Sequence, residues 1–170
     1  MTVKPRQPAP PLSVKLLDGS EWHLRDAKPA SFQLIVVYRG LHCPVCKTYL
    51  GDLEAKLPEF SKRGVDVIAI SMDGRERAER SQTEWGLANL RLGYDLPIAT
   101  ARAWDLFISH AIREGETPEF SEPGLFLIKP DGTIFYAARG SAPWGRPALD
   151  QVLRGIDMAI ERGTPARGEA

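Results

Sequence analysis

The chain has 170 residues, 43% of them hydrophobic, and its 22 basic and 22 acidic side chains cancel. Such a length and composition fit one domain with its own core. The absence of net charge argues against a nucleic-acid or anionic-membrane partner, and no stretch approaches the ~18 apolar residues of a membrane span.

Residues 1–11 carry Pro5, Pro8, Pro10 and Pro11, which exclude a helix and point to an extended arm. The arm has no apolar run and does not read as a signal peptide, so a cytoplasmic location is expected. Residues 12–17 alternate weakly, Asp18-Gly19 is a hairpin-type turn, and residues 22–24 are the returning strand. The run Phe32-Gln33-Leu34-Ile35-Val36-Val37 is apolar on both faces, as in a central strand covered by helices. Residues 47–63 repeat Leu50, Leu53, Leu57 and Phe60 at spacings of three and four. That is a helix which Pro58 should kink and Gly64 should stop. Residues 65–70 form the next strand, and the βαβ unit so made implies parallel neighbours.

Asp73 and Glu76 resemble a capping box for a helix over residues 75–85. Residues 90–96 hold a short apolar piece, and residues 99–107 a short helix with Ala103, Trp104 and Phe107. Residues 108–122 are polar, contain Gly115 and Pro118, and read as a loop or insertion. Residues 125–128 and 133–138 flank Pro130-Asp131-Gly132 as a hairpin. Residues 148–162 repeat Leu149, Val152, Leu153, Ile156 and Ile160, an amphipathic terminal helix. The organisation expected is an arm (1–11), one domain (12–162) and a loose tail (163–170), with three α/β layers around a mixed sheet.

The chain's two cysteines lie in Tyr38-Arg39-Gly40-Leu41-His42-Cys43-Pro44-Val45-Cys46, where a strand ends and a helix begins. A thiol attacks as thiolate, and a helix N-terminus favours that form. Cys43 is expected at the helix start as the more exposed thiol, with Pro44 in the first turn. Cys46 stands nearly one turn further in, placed to close a disulfide by exchange. A lone C-x-x-C reads as a redox motif; inert buried thiols or a zinc half-site compete with it, and zinc usually needs four ligands. As an imidazolium His42 lowers the Cys43 pKa, and when neutral it serves as a base; its alternative is an exposed loop residue. Arg39 offers a permanent cation beside the thiolate or a salt bridge from the strand end. Arg146, in Ala142-Pro143-Trp144-Gly145-Arg146-Pro147, either faces the dithiol or lies on the surface, and the surface is favoured. Asp73 is expected as a helix cap rather than a proton relay, and Trp85, Trp104 and Phe107 as core.

C-x-x-C between a buried strand and a kinked helix resembles the thioredoxin fold, a three-layer α/β/α sandwich with a mixed central sheet. Tyr38-Arg39-Gly40, Leu50-Gly51-Asp52-Leu53, Val67-Ile68-Ala69-Ile70-Ser71 and Pro123-Gly124-Leu125-Phe126-Leu127-Ile128 are similar to the peroxiredoxin-like branch of the alkyl hydroperoxide reductase/thiol-specific antioxidant superfamily. This resemblance covers nearly the whole chain. It implies an antioxidant thiol–disulfide oxidoreductase cycling Cys43 and Cys46. When P-x-x-x-T-x-x-C of the superfamily's peroxidases is laid on Cys46, Cys43 takes the threonine position and Arg39 the proline position. Their late arginine falls about at Pro123. In thioredoxins a cis-proline before a late strand faces the disulfide, a role that Pro123 fits, whereas their buried aspartate is Val37 here. Disulfide exchange therefore ranks ahead of a peroxidase with Cys46 peroxidatic and Cys43 resolving. A copper carrier using both thiols and a histidine such as His110 ranks third. No cofactor, metal, nucleic acid or membrane is expected. The implied partners are a thiol reductant or protein disulfide, a hydroperoxide in the alternative, and a second copy of the chain.

Overall fold

The computed structural model describes residues 3–170. In chain order its elements are β1 (Ser13–Leu16), β2 (Glu21–His23), β3 (Phe32–Val37), α1 (Pro44–Lys62), β4 (Val65–Ile70), α2 (Arg75–Glu84), β5 (Leu92–Tyr94), α3 (Ile98–Ala103), β6 (Ile108–His110), β7 (Glu119–Ser121), β8 (Gly124–Ile128), β9 (Ile134–Arg139) and α4 (Leu149–Arg162). Seven strands make one sheet in the order β2-β1-β5-β4-β3-β8-β9. β3 pairs in parallel with β4 and antiparallel with β8, so the sheet is mixed.

All six residues of β3 are buried, and their alternation divides the core in two. Leu34 and Val36 face the layer of α1 and α4, with Cys46, Leu50, Leu53, Val152 and Ile156. Ile35 and Val37 face the opposite layer, with Ala101 and Trp104 at α3 and Trp22 from β2. Leu50, Leu53 and Phe60 are wholly buried, and each such side chain contributes about 1.5–3 kcal/mol. They press α1 against the sheet and so hold its first turn in place. The helix runs on through Pro58 and stops where Gly64, at φ +70°, follows the cap residue Arg63.

Three expectations change. Residues 108–122 are not all loop: β6 and β7 pair antiparallel, with Ser109 opposite Phe120 and His110 opposite Glu119. Their polar composition conceals one wholly buried ring, Phe120. Phe107, expected in the core, is 52% exposed, because α3 ends at Ala103 and the chain turns at Asp105 with φ +54°. Asp73 does not cap α2; the N-cap is Gly74, without a side-chain bond. The Asp73 carboxylate is buried instead. It accepts the Leu41 N–H at 2.8 Å and pairs with Arg77 Nε at 3.1 Å.

The arm lies along β9, where Arg6 donates to the Ile134 carbonyl and Ile134 to that of Gln7. Arg6 also reaches the C-terminal segment through the Ala166 carbonyl and Glu169, and Ala166 is buried.

Candidate active site

β3 delivers the chain to the motif, and Tyr38 N–H still bonds the Ile70 carbonyl of β4. At Gly40 the backbone takes φ +138°, and a Cβ there would meet Asp73 Oδ1 at 2.8 Å. Glycine is required for this turn. Asp73 grips Leu41, and Cys43 N–H closes back onto the Gly40 carbonyl at 3.1 Å. The loop is thereby held ahead of α1.

Cys43 is the N-cap of α1, and Pro44 starts the helix as expected. Its sulfur accepts the Cys46 N–H at 3.1 Å, so the three-residue spacing makes the thiol its own helix cap. The Cys46 thiol and amide, the Arg39 guanidinium and the Arg146 charge together outweigh burial and bring Cys43 down to about 6. Cys46 moves the opposite way. Burial, with its proton shared toward Cys43, pushes it far above the usual thiol range. Arg146 Nη2 donates to Cys46 Sγ at 2.7 Å and pulls downward, yet desolvation is the larger effect. One negative charge therefore resides on Cys43, and one proton on Cys46. Neither cysteine is in a disulfide.

Neither sulfur is exposed, which corrects the expectation that Cys43 is the more open thiol. Two distant segments cover the motif. From β7 comes Phe120, whose ring centre lies 4.6 Å from that of His42 and 4.9 Å from Arg39 Cζ. From the loop after β9 comes Arg146, with its guanidinium 5.3 Å over the Tyr49 ring and bonded to the Pro143 carbonyl. Tyr49 OH anchors that loop by donating to the Pro147 carbonyl at 2.7 Å. The surface placement favoured for Arg146 is thus overturned.

The two readings of Arg39 hold together. Its Nε pairs with Glu122 Oε2 at 2.9 Å, and its charge helps to lower the Cys43 thiol. His42 is neither an exposed loop residue nor an imidazolium. It is half-buried against Phe120 with both ring nitrogens unpartnered, and burial followed by the Arg39 charge holds it below its usual value. Pro123 is not a cis-proline: no peptide bond among the described residues is cis. The chain enters β8 held on both sides, by Glu122 N–H to the Phe107 carbonyl and Gly140 N–H to the Pro123 carbonyl.

Glu122 was missed from the sequence, where it lay in a segment read as loop. Its signal is an acid immediately before the late strand, in the region where the resemblance places an arginine. It is 4% exposed and also accepts from Ser109 Oγ at 2.7 Å. Among the described residues no group of three or more His, Cys, Asp or Glu side chains is placed to hold a metal ion. His110 is exposed on β6, 3.6 Å from Glu119. No helix of the described residues is long and apolar enough to cross a membrane.

A profile of the AhpC/TSA family matches residues 5–137. Peroxiredoxin Bcp of Xanthomonas campestris pv. campestris is 30% identical over 128 residues, 75% of this chain and 78% of that protein. Thiol-disulfide oxidoreductase ResA of Bacillus thuringiensis subsp. konkukian is 23% identical over 150 residues, 87% of this chain and 76% of that protein. Among solved structures, a mutant of peroxiredoxin 6 of Arenicola marina superposes with a TM-score of 0.78 at 21% identity, covering 95% of this chain and 76% of that one. Peroxiredoxin Q of Xanthomonas campestris superposes at 0.69 with 28% identity, covering 86% and 89%. With a family match over most of its length and a paired dithiol at the start of α1, the chain belongs to the AhpC/TSA family and is a thiol-dependent oxidoreductase.

Proposed function

We propose that this protein is an antioxidant dithiol oxidoreductase in which Cys43 attacks a small hydroperoxide and Cys46 resolves the product into a disulfide. The observation that carries this reading is the division of labour within the pair. Cys43 holds the charge against the Cys46 amide, at 3.1 Å, while Cys46 holds the proton under Arg146. Burial of both sulfurs favours a small oxidant over a folded partner's disulfide.

The steps balance as follows. The Cys43 thiolate attacks the distal peroxide oxygen, an S–O bond forms, the O–O bond breaks, and an alkoxide departs. The alkoxide takes the Cys46 proton and leaves as alcohol. Cys46, now a thiolate beside Arg146, attacks the Cys43 sulfenic acid and expels hydroxide as the disulfide closes. Two equivalents of an external thiol, or one dithiol, return two electrons and two protons and are themselves oxidised to a disulfide. Such a cycle suits a reducing compartment such as the cytoplasm. Val45, Ile112 and Trp144 expose large apolar surface on the motif, the β6–β7 turn and the Arg146 loop. Their exposure supports a homodimer that covers this end of the molecule.

A second reading, in which Cys46 attacks first, is favoured by the Arg146 contact alone. Single variants separate the two. Under our reading C46S consumes one equivalent of peroxide and stops at Cys43 sulfenic acid, while C43S consumes none. The reverse pattern establishes the second reading. Full turnover in both variants refutes any dithiol mechanism.

A further inference from the structure

We propose that Glu122 is a positioning residue for the dithiol: its carboxylate fixes the Arg39 guanidinium on the loop before Cys43, and its own charge sets how much of that cation the sulfur feels. The inference rests on Cys43 being the attacking thiol.

Arg39 stands on a glycine-containing loop, where a long side chain has many orientations open to it. Two contacts select one. Glu122 Oε2 lies 2.9 Å from Nε and the Phe120 ring lies 4.9 Å beneath Cζ, and the guanidinium so held is one of the cations that lower Cys43. Arg39 Nε and Glu122 Oε2 are both buried and have no aligned hydrogen bond, so the 2.9 Å ion pair is what partners them. A buried carboxylate without its cation is strongly disfavoured, so each group holds the other. Glu122 is itself fixed. Its amide bonds the Phe107 carbonyl at 2.8 Å, and its second oxygen takes Ser109 Oγ at 2.7 Å. The planar fork of arginine can serve a carboxylate on one edge and a sulfur on another, which a lysine cannot do.

Two effects of opposite sign follow. Holding Arg39 in place stabilises the thiolate, and the carboxylate charge behind Arg39 destabilises it. The other groups facing Cys43 are Cys46 on α1 and Arg146 from the loop after β9, with His42 on the loop that carries Arg39. Asp73, from the end of β4, faces Gly40 and Leu41 and is paired with Arg77. Of these groups, Cys46, Arg146 and Asp73 make no contact with Glu122, and His42 feels it only through Arg39.

Two mild variants separate the effects. E122Q keeps the length and the acceptor but removes the charge, whereas E122D keeps the charge and draws the guanidinium back by one methylene. The readout is the pH profile of iodoacetamide alkylation of the reduced full-length protein, with the modified cysteine located by mass spectrometry. We expect the Cys43 midpoint to fall by about one unit in E122Q and to rise in E122D. A purely structural role would lower thermal stability without opposite movements of the midpoint. If both variants shift the midpoint the same way, or neither shifts it, the role given to Glu122 is refuted. If alkylation of the parent protein falls first on Cys46, the assignment of the attacking thiol fails instead, and the role of Glu122 with it.

Discussion

Replacing Arg146 by glutamine removes the guanidinium that lies 2.7 Å from Cys46 Sγ. The contact matters most when Cys46 carries negative charge, that is, while it attacks the oxidised Cys43. A hydrogen bond to a charged group contributes about 1.5–3 kcal/mol. That corresponds to a roughly ten- to hundredfold slower resolving step. Cys43 is influenced by Arg146 through charge rather than contact, so its oxidation should slow by no more than a few-fold. The assay is rapid mixing of reduced protein with hydrogen peroxide, followed by quenching with dimedone and mass spectrometry. We expect R146Q to accumulate dimedone adduct on Cys43 that the parent protein scarcely shows, with peroxide loss in the first turnover nearly unchanged. A variant that loses the first step and closes its disulfide at the parent rate would refute this reasoning and make Cys46 the attacking thiol.

Two further outcomes are expected. The stability of the reduced protein should depend on pH through Cys43. Its folded value is lowered to about 6, so it stabilises the fold above the unfolded thiol value and loses that contribution as pH falls. Between about pH 6 and pH 8.5 stability therefore rises with pH. At higher pH the unfolded chain releases both thiol protons while Cys46 retains its own, so stability declines again. His42, held low by burial, gives a rise of the same sign below about pH 6.5 in the parent protein and in C43S alike. Urea midpoints of the two proteins, compared across this range in reductant, isolate Cys43, and parallel curves would contradict the shift. Separately, G40A places a Cβ 2.8 Å from the buried Asp73 carboxylate at φ +138°. We expect about 2–3 kcal/mol of destabilisation and faster alkylation of both thiols as the loop loosens, measured by denaturant unfolding and thiol labelling; an unchanged midpoint would show that the loop absorbs the methyl group.

Local sequence was sufficient wherever the cause was local. The apolar run 32–37, the three-and-four spacing in α1 and α4, and the Pro130-Asp131-Gly132 turn each act within a few residues, and the elements they specify are present. So does the spacing of the cysteines: three residues bring the Cys46 amide to the Cys43 sulfur in any helix that starts at Pro44. The active-site junction was therefore legible before any fold was known. Residues 108–122 were misread because strands of three residues leave too short a pattern, and their one buried ring lies among polar neighbours.

What only the tertiary structure decided is which distant groups converge on the sulfurs. Arg146 lies 100 residues from Cys46, and a single arginine in a loop is more often exposed than not. Glu122 and Asp73 carry no local sign that they are buried, yet one locks Arg39 and the other the Gly40 turn. Burial itself belongs here as well, since the covers over Cys43 come from β7 and from the loop after β9. The sequence by itself determined that two thiols stand at a helix start. Packing determined which one holds the charge, because desolvation and the placement of two arginines depend on neighbours that chain order does not reveal.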